Sequence, residues 1–171
     1  VSIVGHGRDQ VEPLLSDTTM VVQEEQLGTA HAVLVAREAL AGKSGSLVVL
    51  TGDSPLVRPS TIEDLVRTRE ENNAAVVVLT MEASDPFGYG RIVRDDAGDV
   101  VEIVEQKDCT PEQAAITECN SGFYCFDIEL LFSALEEVST DNAQGEYYLT
   151  DVLGIARKRG QRVLAFKAED P

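Results

Sequence analysis

The apolar run at residues 48–50 ends in Thr51-Gly52-Asp53, and the chain then turns at Pro55. Gly52 lets a ligand approach the backbone closely, and Pro55 prevents the strand from continuing. Ligands of open α/β sheets bind beyond the carboxyl ends of the strands, which is where this pattern places Asp53. A carboxylate at that position suits a Mg²⁺ ion held against the phosphates of a nucleotide. The structural alternative is an aspartate that only caps the following loop.

A second candidate site lies at residues 23–30, where a predicted strand ends in a polar loop with Gly28 and a helix begins at Thr29. The free backbone N–H groups of the first helical turn and the Thr29 hydroxyl are able to bind the polar edge of a ligand. Gln23 has both a donor and an acceptor, as a pyrimidine edge requires. Glycine before a helix is also common structure, so this loop is weak support by itself.

A third candidate is the loop at residues 85–91, Asp-Pro-Phe-Gly-Tyr-Gly-Arg, in which two glycines flank an aromatic residue. Backbone amides such as that of Gly90 could bind a sugar there, and a tight turn is the alternative. Glu105 ends the next predicted hairpin and Asn120 opens the strand that follows, so both side chains could point into one pocket. Each residue alone is more often a surface residue, and the interpretation depends on their convergence.

The histidines and cysteines indicate structure rather than catalysis. His6 lies between two glycines and His31 in the first turn of a helix, and neither belongs to a Ser or Cys nucleophile grouping. Cys109, Cys119 and Cys125 are ten and six residues apart, which matches no spacing typical of zinc sites. We expect reduced, buried thiols and a cytoplasmic location.

The elements that position these candidate residues are strands that alternate with helices along the sequence. This alternation is typical of βαβ units around a parallel sheet. Capping boxes at residues 60–63 and 110–113 predict two helix starts, and Gly160 predicts a helix end. An antiparallel hairpin is predicted across the turn at residues 95–98. We expect an α/β, Rossmann-like three-layer fold with a mostly parallel sheet and an antiparallel insertion. The predicted strands cover residues 1–4, 19–22, 47–51, 75–81, 91–94, 100–105, 120–126 and 162–166.

Length and charge narrow the function classes. The 171 residues suit one α/β domain. A net charge of −16 argues against nucleic acid, because a duplex binder needs a basic face. A phosphorylated small substrate would need a divalent cation or a few placed basic residues. No apolar run approaches the about 20 residues of a transmembrane helix, and the amino end lacks the order of a signal peptide.

Several segments together resemble one family of enzymes. They are "EQLGTAHAVLVA", "LTGDSPLV", "DPFGYGRIVR", "IVEQKDCTPEQ", "NSGFYCFD" and "NAQGEYYLTDV". From end to end the chain resembles the uridyltransferase domain of the bacterial bifunctional N-acetylglucosamine-1-phosphate uridyltransferase/glucosamine-1-phosphate acetyltransferase family. The glycine-threonine loop and the strand followed by Gly-Asp are shared with the wider superfamily of sugar nucleotidyltransferases, whereas "GYGRI", "VE-x-KD" and "NAQGEYYLTD" are specific to this family.

The resemblance implies that UTP and N-acetylglucosamine 1-phosphate give UDP-N-acetylglucosamine and pyrophosphate. Asp53 is then the catalytic residue and the Mg²⁺ ligand. Thr51 stands where some relatives have an aromatic residue, and a backbone contact there would survive the change. The implied substrate-binding residues are Gln23, Gly28 and Thr29 for the uracil end, Thr51 and Gly52 at the strand end, and Gly90, Glu105, Asn120 and Thr150 for the sugar.

The resemblance also implies elements outside the chain. They are a first strand with a glycine-rich loop whose arginine and lysine grip the triphosphate, an asparagine as second Mg²⁺ ligand, and a carboxy-terminal left-handed β-helix. In the family that β-helix carries acetyl transfer and assembles a homotrimer. We therefore expect residues 1–171 to be a single truncated uridyltransferase domain without the acetyltransferase domain, inactive or nearly so by itself.

Three other functions stay open. A nucleotidyltransferase for a dTDP or CDP sugar would lack the family-specific stretches on the sugar side. A non-catalytic module could bind a sugar nucleotide or a partner protein without reacting. A glycosyltransferase would use two carboxylates in Asp-x-Asp spacing, whereas Asp53 is followed by Ser54-Pro55.

Overall fold

The computed structural model describes residues 1–168, so the last three residues of the predicted domain lie outside the described part. The strands are β1 (Ser2–Val4), β2 (Met20–Val22), β3 (Ser46–Val49), β4 (Val76–Glu82), β5 (Arg91–Arg94), β6 (Val100–Val104), β7 (Glu118–Asp127) and β8 (Val163–Lys167). The α-helices are α1 (Arg8–Val11), α2 (Thr29–Val35), α3 (Pro59–Glu71), α4 (Pro111–Ala114), α5 (Ile128–Leu135) and α6 (Asp151–Lys158). Single 3₁₀ turns occur at Glu12–Leu14, Glu38–Leu40 and Gln106–Asp108.

The main sheet has six strands in the described part of the chain. Five of the strands follow the order β6-β5-β7-β4-β8. The sixth strand, β3, lies off this path and pairs with β7. β4 and β8 are parallel, β7 is antiparallel to β3, β4 and β5, and β6 is antiparallel to β5. Four strands therefore run in one direction and two run against them. β1 and β2 form a separate parallel pair. The prediction of a mostly parallel α/β sheet with antiparallel strands is confirmed.

The position of β7 differs from the expected insertion. This antiparallel strand lies inside the sheet, with Tyr124 opposite Val49 of β3 on one side and opposite Val78 of β4 on the other. A strand buried on both faces has the same apolar pattern in either direction. Its direction was therefore not readable from the sequence.

Helices cover both faces of the sheet. Val76 and Val78 of β4 pack in one apolar cluster with α5 and α6, whereas Val77 packs with Leu65 of α3 in a second cluster. Alternate residues of one strand thus enter different cores, as the period of two requires. The predicted three-layer arrangement is confirmed.

The helix and turn signals were mostly correct. Thr110 forms the predicted capping box with Gln113, through bonds of 2.9 and 3.2 Å, and Gly160 has φ +72° beyond the end of α6. In the hairpin, Asp95 Oδ1 accepts from the backbone N–H groups of Ala97 and Asp99. The box predicted at residues 60–63 is wrong. α3 begins at Pro59 after an extended Arg58, because the fixed φ of proline suits the first helical position.

The prediction of buried thiols is correct for two of the three cysteines. All three cysteines are free, with Cys119 and Cys125 buried and Cys109 half-buried. Within residues 1–168, every helix is too short or too polar to cross a membrane.

Candidate functional site

Residues 51–53 follow the carboxyl end of β3, as predicted. Asp53 is exposed, and its Oδ1 accepts a hydrogen bond from the Ser54 hydroxyl at 3.4 Å. With Tyr89 and Phe123 it lines a groove of about 500 Å³. Thr51 lies against β7, since a methyl group on Gly122 would be 3.2 Å from Thr51 Cγ2. The tip of β3 is thereby held beside the middle of β7.

Four candidate sugar-binding residues lie together. Thr150 Oγ1 donates to Glu105 Oε1 at 3.2 Å, and the Asn120 backbone N–H donates to Gly90 O at 2.9 Å. A Cβ atom on Gly90 would lie 3.5 Å from both Glu105 Oε1 and Asn120 Cβ, and only 2.9 Å from Ile103 Cγ2. The missing side chain at Gly90 therefore lets these groups approach the backbone closely.

Asn120 has a fixed amide. Its Nδ2 donates to the Tyr124 hydroxyl at 2.6 Å, and its Oδ1 accepts from the Gly122 backbone N–H at 2.9 Å. Tyr124 is buried and stacks on Phe126 with ring centroids 5.4 Å apart. Burial raises the pKa of Tyr124 far above its usual value, so the hydroxyl keeps its proton. Sequence reasoning missed Tyr124, although a spacing of four along a strand was an available signal.

Glu105 lies in an unfavourable environment for a carboxylate. Burial raises its pKa, the nearby Asp108 and Asp151 raise it further, and the hydrogen bond from Thr150 lowers it in part. Burial and Asp108 also raise the pKa of Asp151. Like charges and desolvation both favour the neutral carboxyl group. A ligand that donates hydrogen bonds to Glu105 would relieve this penalty.

The loop at residues 23–28 is tightly shaped. Gln23 is 9% exposed, and its Nε2 lies 3.1 Å from Gly28 O and 3.0 Å from His31 Nδ1. Gly28 has φ +115°, and a Cβ atom there would lie 2.5 Å from Tyr147 O. Only glycine fits this combination of backbone conformation and close contact.

Residues 147–149 bind that loop through three hydrogen bonds. Tyr147 N–H donates to Leu27 O at 2.8 Å, Ala30 N–H donates to Tyr147 O at 2.9 Å, and Leu149 N–H donates to Thr29 Oγ1 at 2.9 Å. The expectation that the helix start and the Thr29 hydroxyl are free for a ligand is therefore wrong in part. Ala30 N–H and the Thr29 oxygen instead attach α2 to the segment that carries Thr150.

The three candidate groups thus form one continuous arrangement. Thr51 lies beside Gly122, whose backbone N–H is bonded to Asn120 Oδ1. Asn120 is bonded to Gly90 beside Glu105, and Thr150 follows the segment that binds the loop at 23–29. This chain of contacts includes Thr51 and the candidate residues of the other two groups, and Gly52 and Asp53 adjoin it in the sequence, directly after Thr51.

Asp53 supplies one exposed carboxylate, a type of ligand that Mg²⁺ accepts. Among residues 1–168, no three His, Cys, Asp or Glu side chains are placed to hold a metal ion together. A metal at the exposed Asp53 would therefore complete its shell with ligand phosphate oxygens and water. Mg²⁺ commonly binds to one or two carboxylates with substrate phosphates in this way.

The loop at residues 85–91 has supports that sequence reasoning missed. Arg91 is 1% exposed and donates to Gln106 Oε1 at 2.7 Å and to Tyr89 O. The same Gln106 oxygen accepts from Gly88 N–H at 3.1 Å. Nothing in the local sequence indicates these tertiary contacts, since Gln106 comes from beyond the hairpin.

Comparisons with known proteins show which family the sequence resembles. A family model described as nucleotidyl transferase matches residues 8–171. The chain is 54% identical over 171 residues to the bifunctional protein GlmU of Lactobacillus delbrueckii subsp. bulgaricus, covering 99% of this chain and 37% of the relative. It is 53% identical over 168 residues to that of Halalkalibacterium halodurans, covering 98% of this chain and 37% of the relative. The chain thus spans little more than a third of these relatives.

A solved structure, UDP-glucose pyrophosphorylase in complex with UDP-glucose, superposes with a TM-score of 0.74 at 17% identity. The match covers 96% of this chain and 70% of that one, which establishes a common fold. The family match extends over nearly the whole chain, through every candidate residue described above. The chain belongs to the nucleotidyl transferase family.

Proposed function

We propose that the chain is the uridyltransferase domain of an enzyme that makes UDP-N-acetylglucosamine and pyrophosphate from UTP and N-acetylglucosamine 1-phosphate. The proposal treats residues 1–171 as one domain of this kind. The observation that carries it is the cluster of Gly90, Glu105, Asn120 and Thr150, joined through residues 147–149 to the loop around Gln23. A sugar nucleotide has a polar sugar at one end and a base at the other, which suits two such connected groups.

At the sugar end, two side chains have complementary roles. Glu105 would accept hydrogen bonds from sugar hydroxyls, with one carboxylate oxygen already fixed by Thr150. Asn120 has a second amide hydrogen and a second carbonyl lone pair beyond its bonds to Tyr124 and Gly122, so it can both donate and accept. The Gly90 backbone between them would contact the sugar directly.

The reaction itself would depend on positioning. The phosphate of N-acetylglucosamine 1-phosphate is already ionised and would attack the α-phosphorus of UTP in line, expelling pyrophosphate. The chain's residues would hold the base and the sugar so that these groups meet. Mg²⁺, when bound, would neutralise charge on the phosphates, and Asp53 would hold it.

The location and assembly of the protein belong to the same proposal. Three free cysteines, two of them buried, suit the reducing cytoplasm, where UTP is available. Assembly of the parent protein into a homotrimer would use the β-helix domain that the family resemblance implies, outside the chain described here.

Calorimetric titration tests the proposal. UDP-N-acetylglucosamine and UDP-glucose are titrated into the chain with and without Mg²⁺, using wild type, Asp53→Asn and Asp17→Asn. Asp17 is a matched control, because it is also exposed and accepts from a neighbouring serine, at 3.5 Å. We expect Mg²⁺ to tighten binding in wild type and Asp17→Asn only, and the N-acetyl sugar to be preferred.

Three results would contradict the proposal. If a folded chain binds neither sugar nucleotide, the proposed binding site is wrong. Equal affinity for both sugars would instead favour a nucleotidyltransferase for another sugar. Binding without any turnover by the parent protein would support the non-catalytic module.

A further inference from the structure

The side-chain amide of Gln23 has only one possible orientation. Its Nε2 lies 3.1 Å from the carbonyl oxygen of Gly28, which can only accept a hydrogen bond. Turning the amide over would place two acceptor oxygens against each other. The first amide hydrogen of Gln23 is therefore bonded to Gly28.

The second amide hydrogen is bonded to His31. Nδ1 of His31 lies 3.0 Å from the same Gln23 nitrogen. An amide nitrogen donates and does not accept, so His31 Nδ1 must be the acceptor and carry no proton. A neutral His31 then carries its hydrogen on Nε2.

The remaining polar atom of Gln23 is its carbonyl oxygen. Among residues 1–168 this Oε1 accepts no hydrogen bond, yet it is not one of the buried atoms left without a partner, so it keeps contact with solvent. The expectation that Gln23 offers both a donor and an acceptor is thus wrong for this structure. Towards a ligand, Gln23 can only accept.

We propose that His31 is a positioning residue that sets base selectivity by keeping Gln23 as an acceptor. The inference rests on the proposed function, in which Gln23 binds the base. Uracil presents an imide N–H at N3 and would donate to Gln23 Oε1. Cytosine presents a lone pair at N3 and would face a second acceptor. A buried polar group built for one hydrogen-bond pattern discriminates strongly against a base that lacks it.

A matched pair of substitutions separates this role from simple packing. His31→Asn keeps an acceptor near the position of Nδ1, whereas His31→Leu fills a similar volume without one. The control is His6→Leu, at the exposed second histidine of the chain. UDP, CDP and N3-methyl-UDP are titrated into each protein by calorimetry, with thermal unfolding as the check on folding.

We expect wild type, His31→Asn and His6→Leu to prefer UDP over both other ligands. In His31→Leu the second amide hydrogen of Gln23 has lost its acceptor and only Gly28 O still holds the amide. The freed donor hydrogen opposes the N3–H of uracil and suits the N3 lone pair of cytosine, so the preference for UDP over CDP should fall about tenfold. Retention of the full preference in a folded His31→Leu protein would overturn the role of His31 while the proposed function stands. A folded wild-type chain that binds no uridine nucleotide would overturn both.

One measurement needs no variant. Nitrogen NMR of the wild-type imidazoles reports which ring nitrogen carries the hydrogen. We expect His31 to be the Nε2–H tautomer, and the Nδ1–H tautomer would overturn the proposal even if the leucine variant failed to fold.

Discussion

Thr150 donates its hydroxyl hydrogen to Glu105 at 3.2 Å and makes no capping bond to the start of α6, which it precedes. Serine and threonine at such positions usually accept from the first backbone N–H groups of the helix. The hydroxyl is instead committed to fixing a carboxylate whose pKa is raised by burial. The first N–H groups of α6 are bonded to the backbone carbonyls of Tyr148, Leu149 and Thr150 instead, so the Thr150 hydroxyl is available to order the candidate sugar site.

Glu105→Gln should bind UDP-N-acetylglucosamine at least tenfold more weakly and unfold at a higher temperature, by about 2–4 °C. The carboxylate accepts from sugar hydroxyls, but its burial near Asp108 and Asp151 destabilises the folded chain without ligand. Calorimetric titration and thermal unfolding measure the two effects. Glu63→Gln, at an exposed glutamate of α3, is the control and should change neither.

The stability gain from Glu105→Gln should depend on pH. Because burial raises the pKa of Glu105 in the folded state, the penalty is fully present only above that raised pKa. It disappears as the pH falls through the folded pKa towards 4.5, the ordinary pKa of a glutamate, since the folded chain takes up the proton first. Unfolding temperatures of the two proteins should converge over that range, and a constant difference would contradict this explanation.

Gly28→Ala should abolish measurable binding of uridine nucleotides. The added methyl group would meet the Tyr147 backbone at 2.5 Å in a residue with φ +115°, so the loop must move. Gly42→Ala is the matched control, because Gly42 also has a positive φ, +74°, but has open space around a Cβ atom. Gly42→Ala should lower the free energy of unfolding by about 1 kcal/mol and leave nucleotide binding unchanged. Equal binding by both variants would contradict the assigned position of the loop.

Tyr124→Phe should weaken binding of UDP-N-acetylglucosamine about tenfold and leave the affinity for UDP unchanged. The substitution removes only the hydroxyl that accepts from Asn120 Nδ2, and the ring stack on Phe126 is kept. Titration with the two ligands separates an effect on sugar binding from an effect on nucleotide binding. Equal losses for both ligands would indicate a general effect on the fold instead.

Arg69→Met should lower the free energy of unfolding by about 2–4 kcal/mol, as measured by urea denaturation. Arg69 is 9% exposed. Its guanidinium donates to Asp127 at 2.6 Å, Ser46 at 3.0 Å and Ala74 O at 3.2 Å. Arg67→Met on the same helix breaks an exposed pair with Asp64 and should change stability by less than about 1 kcal/mol. Similar losses in both variants would contradict this explanation.

Local signals in the sequence predicted local structure well. The Asp-Asp-Ala-Gly turn predicted the hairpin, and Thr110 predicted the start of α4, because backbone and neighbouring side chains decide both. The direction of β7 and the start of α3 were not predicted. The first depends on which strands pair across the sheet, and the second on Pro59 having a stronger preference for the first helical position than Ser60 for the cap.

The candidate site was predicted as a set of residues but not as a network. Strand ends and glycines identified the positions, since these features are visible along the chain. The loss of the Gln23 donor and the role of His31 depend on a loop that brings residues 23, 28 and 31 together. Contacts of this kind follow from the folded path of the chain, and composition or spacing does not reveal them.

The three hydrogen bonds between residues 147–149 and the loop at 27–30 have a thermodynamic consequence. If a base orders the loop, the segment leading to Thr150 is ordered with it, and part of the entropy cost of holding the sugar is already met. By reciprocity, the sugar would help the base to the same extent. A nucleotide and a sugar phosphate presented together should then bind with positive cooperativity, without a change of shape in either half of the site.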